Sequence, residues 1–144
     1  MNKTEAKKRI IEVLREKGLT MVLSTADAEG KPRSRFMGAL NVGSGKTLYM
    51  ATHAEARKVD QLRANGQCQV LASTPGWAEI VCVNGRAAME TSAAKKQAMW
   101  NAHSPLANYF SGPADPAFGL IRITLETGEY LSMQRAREPV EVKF

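Results

Sequence analysis

The sequence predicts a mainly β fold with flanking helices, and three observations carry that prediction. Short apolar or alternating runs recur between clusters of Gly, Pro, Asn and Asp, the pattern of strands and their turns. Apolar residues at helical spacing are confined to three stretches: 4–17, 53–64 and one opening near residue 92. Strands and helices do not alternate one for one, which argues against a parallel βαβ sheet and for a β-rich order with helices inserted. A chain of 144 residues can bury a real core without disulfides or metals, and 1–144 is read as one domain.

From Thr4 to Lys17, the residues Ala6, Ile10, Val13 and Leu14 recur on one helical face, and Gly18 supplies the left-handed residue that commonly ends a helix. "LTMVLSTA" follows as a strand, "DAEGKP" as a turn, and "RSRFMGAL" as a second strand that Pro32 opens where no ladder donor is needed. These two make a hairpin. The loop "NVGSG" leads into a third strand, "KTLYMA", and then into a helix over 53–64 stopped by Asn65-Gly66. "CQVLAST" is a fourth strand and "PGW" a turn. "AEIVCVNGRAAME" is rich in apolar residues, yet Asn84-Gly85 is a strong hairpin signal, so local rules leave one long strand and a hairpin both open. Helical spacing resumes at "SAAKKQAMW" and runs unevenly to Phe110. "SGPADPA" is a loop, "FGLIRITLETGEYLSM" gives one or two closing strands, and 134–144 reads as a charged tail.

Composition narrows the function classes. No apolar stretch approaches the roughly 20 residues of a membrane span, and "MNKTEAKKRIIEVLREKG" lacks a signal peptide's apolar centre, so a cytoplasmic protein is expected. Cys68 and Cys82 lie in apolar strand-like runs without a CxxC partner, which predicts free buried thiols. The net charge of +6 is concentrated: residues 1–64 hold 13 of the 20 Lys and Arg against 7 of the 14 acids. Such a field suits nucleic acid or a phosphorylated cofactor. With 6% aromatic residues and no recognisable reading module, nucleic acid is the less favoured partner.

Two apparent motifs lead nowhere. Gly45-Lys46-Thr47 matches the end of a phosphate loop, but the first glycine would fall on Leu40 and the strand-like "LYMA" follows where that motif needs a helix. His53 and His103 have no matched ligand set, and no serine sits in GxSxG, so neither a zinc site nor a nucleophilic triad is expected.

What remains is a set of cations. Alternation on a strand puts Arg33, Arg35 and Met37 on one face and Ser34 and Phe36 on the other. Thr52, Arg57 and Lys58 follow, with the last two in the early turns of a helix, where free backbone N–H groups favour negative charge. Hydroxyl, guanidinium and ammonium donors together would suit a phosphate monoester. The same residues also read as solvated side chains, with Thr52 and Glu55 as a capping box.

The segments "KPRSRFMGAL", "LYMATHAEARKVDQLRANGQCQVLAS", "VCVNGRAAME", "AMWNAHSPLANYFSGPADPAFGLIRIT" and "GEYLSM" resemble the pyridoxamine 5'-phosphate oxidase-like flavoproteins, most nearly their small bacterial general stress protein branch. The resemblance spans roughly residues 5–133 and rests on a T-x-x-x-x-R-K element followed by a W…F…DP pattern. It implies a six-stranded antiparallel split β-barrel of Greek-key type, a homodimer, and FMN in clefts at the dimer interface. By position, Arg35, Phe36 and Met37 would lie along the isoalloxazine and ribityl chain, Ala51 and Thr52 would close a strand end against the cofactor, and Arg57 with Lys58 would hold the phosphate. The resemblance also favours one long strand through Gly85, with a bulge or close approach there.

The chain departs from the pyridoxine phosphate oxidases themselves. Leu131 stands where they carry a tryptophan, Ile80 where they place a flavin-contacting glutamine, and Arg135-Ala-Arg137 matches their substrate element poorly. The resemblance therefore implies an FMN-dependent oxidoreductase of unspecified substrate rather than vitamin B6 oxidation. The alternatives are a flavin-binding stress protein without turnover and a relative that binds heme or a deazaflavin.

Overall fold

The computed structural model describes residues 1–16, 19–43 and 45–144, with the backbone alone for 41–43. Helix α1 (Lys3–Leu14) begins at a capping box: Asn2 Oδ1 accepts the Glu5 N–H at 2.9 Å, and the Glu5 carboxylate accepts the Asn2 N–H at 2.9 Å. Its expected face, Ala6, Ile10, Val13 and Leu14, is buried. The helix ends at Leu14 rather than 17, because its last turn tightens: Arg15 N–H bonds to the Glu12 carbonyl and Glu16 N–H to that of Val13. Lys17 and Gly18, the expected stop, lie outside the described residues.

Among the described residues eight strands follow, where the resemblance implied six: β1 (Thr20–Ala26), β2 (Pro32–Phe36), β3 (Ala39–Gly43), β4 (Thr47–His53), β5 (Gln67–Ser73), β6 (Glu79–Met89), β7 (Phe118–Ser132) and β8 (Ala136–Lys143). Helix α2 (Arg57–Ala64) lies between β4 and β5, and α3 (Ala93–Ala102) between β6 and β7. Every pairing is antiparallel, in the order β2-β1-β5-β6-β7-β4-β3. The long β7 pairs with β4 through Phe118–Thr124 and with β8 beyond Thr127. The two edge strands, β2 and β3, are consecutive in the chain, with only Met37 and Gly38 between them. The sheet must therefore curl until its edges nearly meet, as a split barrel does. Leu23, Val70, Val81, Ile121, Ile123 and Tyr130 fill its interior, and the apolar face of α1 packs over β6, β7 and β8. Among the described residues no helix is long and apolar enough to cross a membrane.

Four expectations change. The strand read over 33–40 breaks at Met37 and Gly38, and "NVG" belongs to β3 rather than to a loop. The charged tail forms β8, with Ala136 and Val142 buried and charged residues between. Pro139 is tolerated there because the β7–β8 register shifts across that stretch. The helix expected from 53 begins at Arg57, since the β4–β7 ladder runs on to His53 opposite Phe118. Thr52 thus belongs to the sheet, and the N-cap of α2 is Ala56, which has no side-chain cap bond, so the expected Thr52–Glu55 box does not form. Helical structure after Ala102 continues only as a short 3-10 turn over Ser104–Asn108.

The open question at Asn84-Gly85 resolves as one strand. The β6–β7 register slips by one residue between Asn84 and Gly85, so Glu126 bulges out of β7. A Cβ at Gly85 would stand 2.4 Å from the Thr124 carbonyl oxygen, so the close approach requires glycine. Cys68 is buried and Cys82 half-buried, both as free thiols.

Candidate functional site

Edge strand β2 turns Arg35 inward at the open side of the sheet, where it is half-buried. Arg35 Nη1 donates to the Leu23 carbonyl at 3.1 Å and to Thr25 Oγ1 at 2.8 Å, and Nη2 donates to Gln61 Oε1 at 3.0 Å. Thr25 Oγ1 in turn donates to Gln61 Oε1 at 2.7 Å. Close by, Lys58 Nζ donates to Thr52 Oγ1 at 3.1 Å, near enough to Arg35 for the two charges to repel. Four elements therefore converge: β1 and β2 bring Thr25 and Arg35, β4 brings Thr52, and the first two residues of α2 are Arg57 and Lys58.

The charges here are unbalanced. Burial pushes the Arg35 guanidinium below its ordinary pKa, and repulsion from Arg57 adds to it. Lys58 is lowered by burial and then by Arg35. Among the described residues none of the three forms a salt bridge, whereas Arg33, Arg86 and Arg122 pair with Asp27, Glu126 and Glu90. Because α2 is short and lacks a side-chain cap, its first N–H groups add positive potential at the same place. Two half-buried cations beside a third, exposed one, with no carboxylate paired to any of them, are unfavourable alone and are relieved by an anion.

The residues expected from the sequence divide. Arg35, Thr52, Arg57 and Lys58 come together. Arg33 shares the Arg35 face, as alternation requires, but its Nε is held by Asp27 Oδ2 at 3.1 Å. Met37 is half-buried against the core and Ala51 packs beside Leu106, Phe110 and Phe118, so their side chains serve packing. Phe36 points outward and is 78% exposed. The sequence reading missed Thr25 and Gln61, both buried. The signal for Gln61 was present: it is a polar residue between the buried Val59 and Leu62, one helical turn from Arg57.

Phe36 continues an apolar row across the outer face. Val22 pairs with both Phe36 and Leu71, and Leu71 pairs with Cys82. Beside this row Ile80 pairs with Leu131. Leu71 is 44% exposed.

Comparison with known proteins agrees with this architecture. A family model described as "Pyridoxamine 5'-phosphate oxidase" matches residues 7–132. The general stress protein 26 from Bacillus anthracis is 26% identical, with 96% of this chain and 98% of that one covered at a TM-score of 0.78. A pyridoxamine 5'-phosphate oxidase-related, FMN-binding protein from Nostoc punctiforme shares the fold at 16% identity, with a TM-score of 0.70 over 95% and 86% of the two chains. A heme-binding protein from Mycobacterium smegmatis also shares it at 15% identity, with a TM-score of 0.78 over 96% of this chain and 57% of that one. A search of proteins with curated descriptions found no match. With the match extending from α1 to the end of β7, the chain belongs to the pyridoxamine 5'-phosphate oxidase-like family, in its general stress protein branch.

Proposed function

We propose that this protein binds FMN and acts as an FMN-dependent oxidoreductase, with the cofactor phosphate held by Arg35, Arg57, Lys58 and Thr52. The observation that carries this reading is the cluster of half-buried Arg35 and Lys58 with exposed Arg57, none paired with a carboxylate among the described residues, beside an uncapped helix start. A phosphate dianion supplies the missing charge, and its oxygens accept from guanidinium, ammonium, hydroxyl and backbone N–H donors. The donor set thus fits the phosphate end of FMN. The rest of the cofactor would be lined by the exposed ring of Phe36 and the backbone at Met37 and Ala51. Bound FMN would carry the electron transfer through its ring, and the protein would supply placement and electrostatics.

The outer apolar row of Phe36, Val22, Leu71 and Cys82 supports a two-fold homodimer with the cofactor at the subunit boundary, since such a row on a lone subunit would leave apolar surface in water. The pairing of Ile80 with Leu131 bears on substrate. The positions where pyridoxine phosphate oxidases carry glutamine and tryptophan here form one apolar cross-strand pair, which argues against vitamin B6 phosphate as substrate.

The test is the visible spectrum of protein purified without added cofactor. Maxima of oxidised flavin support the reading. An intense Soret band would instead indicate heme, and a colourless protein indifferent to added FMN would overturn flavin binding. Steady-state oxidation of NADH or NADPH by the flavin-loaded protein separates an oxidoreductase from a flavin-binding stress protein without turnover.

A further inference from the structure

Gln61 is unusual in its surroundings. It is a buried amide in an eight-residue helix, and its carbonyl oxygen accepts from both Arg35 Nη2 at 3.0 Å and Thr25 Oγ1 at 2.7 Å. The orientation of the amide follows from chemistry, because arginine can only donate and must face the oxygen. A half-buried arginine is ordinarily neutralised by a carboxylate, as Arg9 is here by Glu79. Arg35 is held instead by three neutral acceptors: the Leu23 carbonyl, Thr25 Oγ1 and Gln61 Oε1.

The arithmetic of its five N–H groups is informative. Both Nη1 hydrogens are used, and one Nη2 hydrogen points at the Thr25–Gln61 pair, so the end of the fork is occupied. The remaining Nη2–H and the Nε–H lie parallel on the side of the guanidinium, the arrangement that grips two oxygens of one oxyanion. Among the described residues nothing accepts from them.

We propose that Gln61 is a positioning residue: with Thr25 and the Leu23 carbonyl it fixes Arg35 through neutral acceptors, leaving one guanidinium edge and the full charge for a bidentate oxyanion. The inference rests on reading this cluster of cations as an anion site, and it explains why an amide, not a carboxylate, occupies position 61. A carboxylate would hold Arg35 equally well but would cancel the charge that the ligand needs.

The experiment compares wild type with Gln61→Met and Gln61→Glu, each checked for folding by thermal unfolding and titrated with FMN and with riboflavin. Gln61→Met is neutral and close in volume but withdraws the acceptor. It is expected to lower the preference for FMN over riboflavin by at least about threefold, because only the phosphate loses an oriented partner. Gln61→Glu keeps the acceptor and is expected to raise the FMN dissociation constant at least about tenfold while riboflavin stays within about threefold. Wild-type preference in either variant, or equal losses for the two ligands, overturns the proposal. Should Gln61→Met fail to fold, Gln61→Asn withdraws the same acceptor without a change of charge. If wild type itself does not prefer FMN, the assignment of the cofactor phosphate falls, and inorganic phosphate then decides the role of Gln61. A phosphate-dependent rise in melting temperature that is present in wild type and lost in both variants sustains it. A rise equal in all proteins, or absent from all, overturns it.

Discussion

Replacing Arg57 and Lys58 together by Ala should separate affinity from stability, because the structure gives the two effects opposite origins. Both residues stand in the first turn of α2, where backbone N–H groups lack acceptors and a cation costs about 0.3–1 kcal/mol. Their removal relieves that cost and the repulsion on Arg35, and alanine adds a few tenths of a kcal/mol in helix propensity. Against this stands the lost Lys58–Thr52 hydrogen bond, worth about 1 kcal/mol. The flavin-free double variant is therefore expected to unfold within about 1 kcal/mol of wild type. Binding should behave differently. Two charge-assisted contacts at about 1.5 kcal/mol each amount to about a hundredfold, and compensation by Arg35 and Thr52 leaves a floor of about tenfold for FMN. Riboflavin, which lacks the phosphate, should lose less than about threefold. The assay is flavin fluorescence quenching with both ligands at one salt concentration, beside urea denaturation of the flavin-free proteins. Equal losses for FMN and riboflavin would show that the phosphate does not sit at α2.

Three further outcomes follow from other parts of the fold. Glu79 is held down to about 2 by the Arg9 guanidinium and the Tyr130 hydroxyl, against an ordinary 4.5. Its contribution is therefore complete above about 4.5 and lost as pH falls towards about 2, so the urea midpoint of wild type should drop across that window and that of Glu79→Gln should drop less. Gly85→Ala places a methyl group against the Thr124 carbonyl oxygen and should cost at least about 2 kcal/mol by urea denaturation; a loss below about 0.5 kcal/mol would mean that the backbone there yields freely. Leu71→Asp puts a charge in the outer apolar row without touching the core, and sedimentation at micromolar concentration should show a dimer for wild type and a monomer for the variant.

Much of the site was legible because two local rules do not depend on the rest of the chain. Alternation on β2 put Arg35 and Phe36 on opposite faces, and the T-x-x-x-x-R-K spacing put Thr52 close to Arg57 and Lys58 in the chain; Lys58 is found hydrogen-bonded to Thr52. Thr25 and Gln61 escaped the reading because each looks ordinary in its own element. Their meaning lies in a contact between residues 36 positions apart. Arg33 misled for the same reason. It shares a face with Arg35, but Asp27 in the turn before β2 takes it.

The sequence by itself determined what short-range sterics and periodicity decide: the buried face of α1, the β1–β2 hairpin, and the order of strands and helices. It could not decide where ladders stop. The start of α2 moved to Arg57 because pairing with β7 holds His53 in the sheet, a long-range bond that outweighs a local capping signal. The charged segment after Met133 became β8 because the second half of β7 offers it an open edge and inward positions for Ala136 and Val142. Asn84-Gly85 stayed extended because Thr124 passes too close for any side chain and β7 absorbs the extra residue as a bulge. In each case local propensity differs by about a kcal/mol between alternatives, while a neighbouring strand supplies several hydrogen bonds and a buried face at once, and the tertiary partner therefore decides.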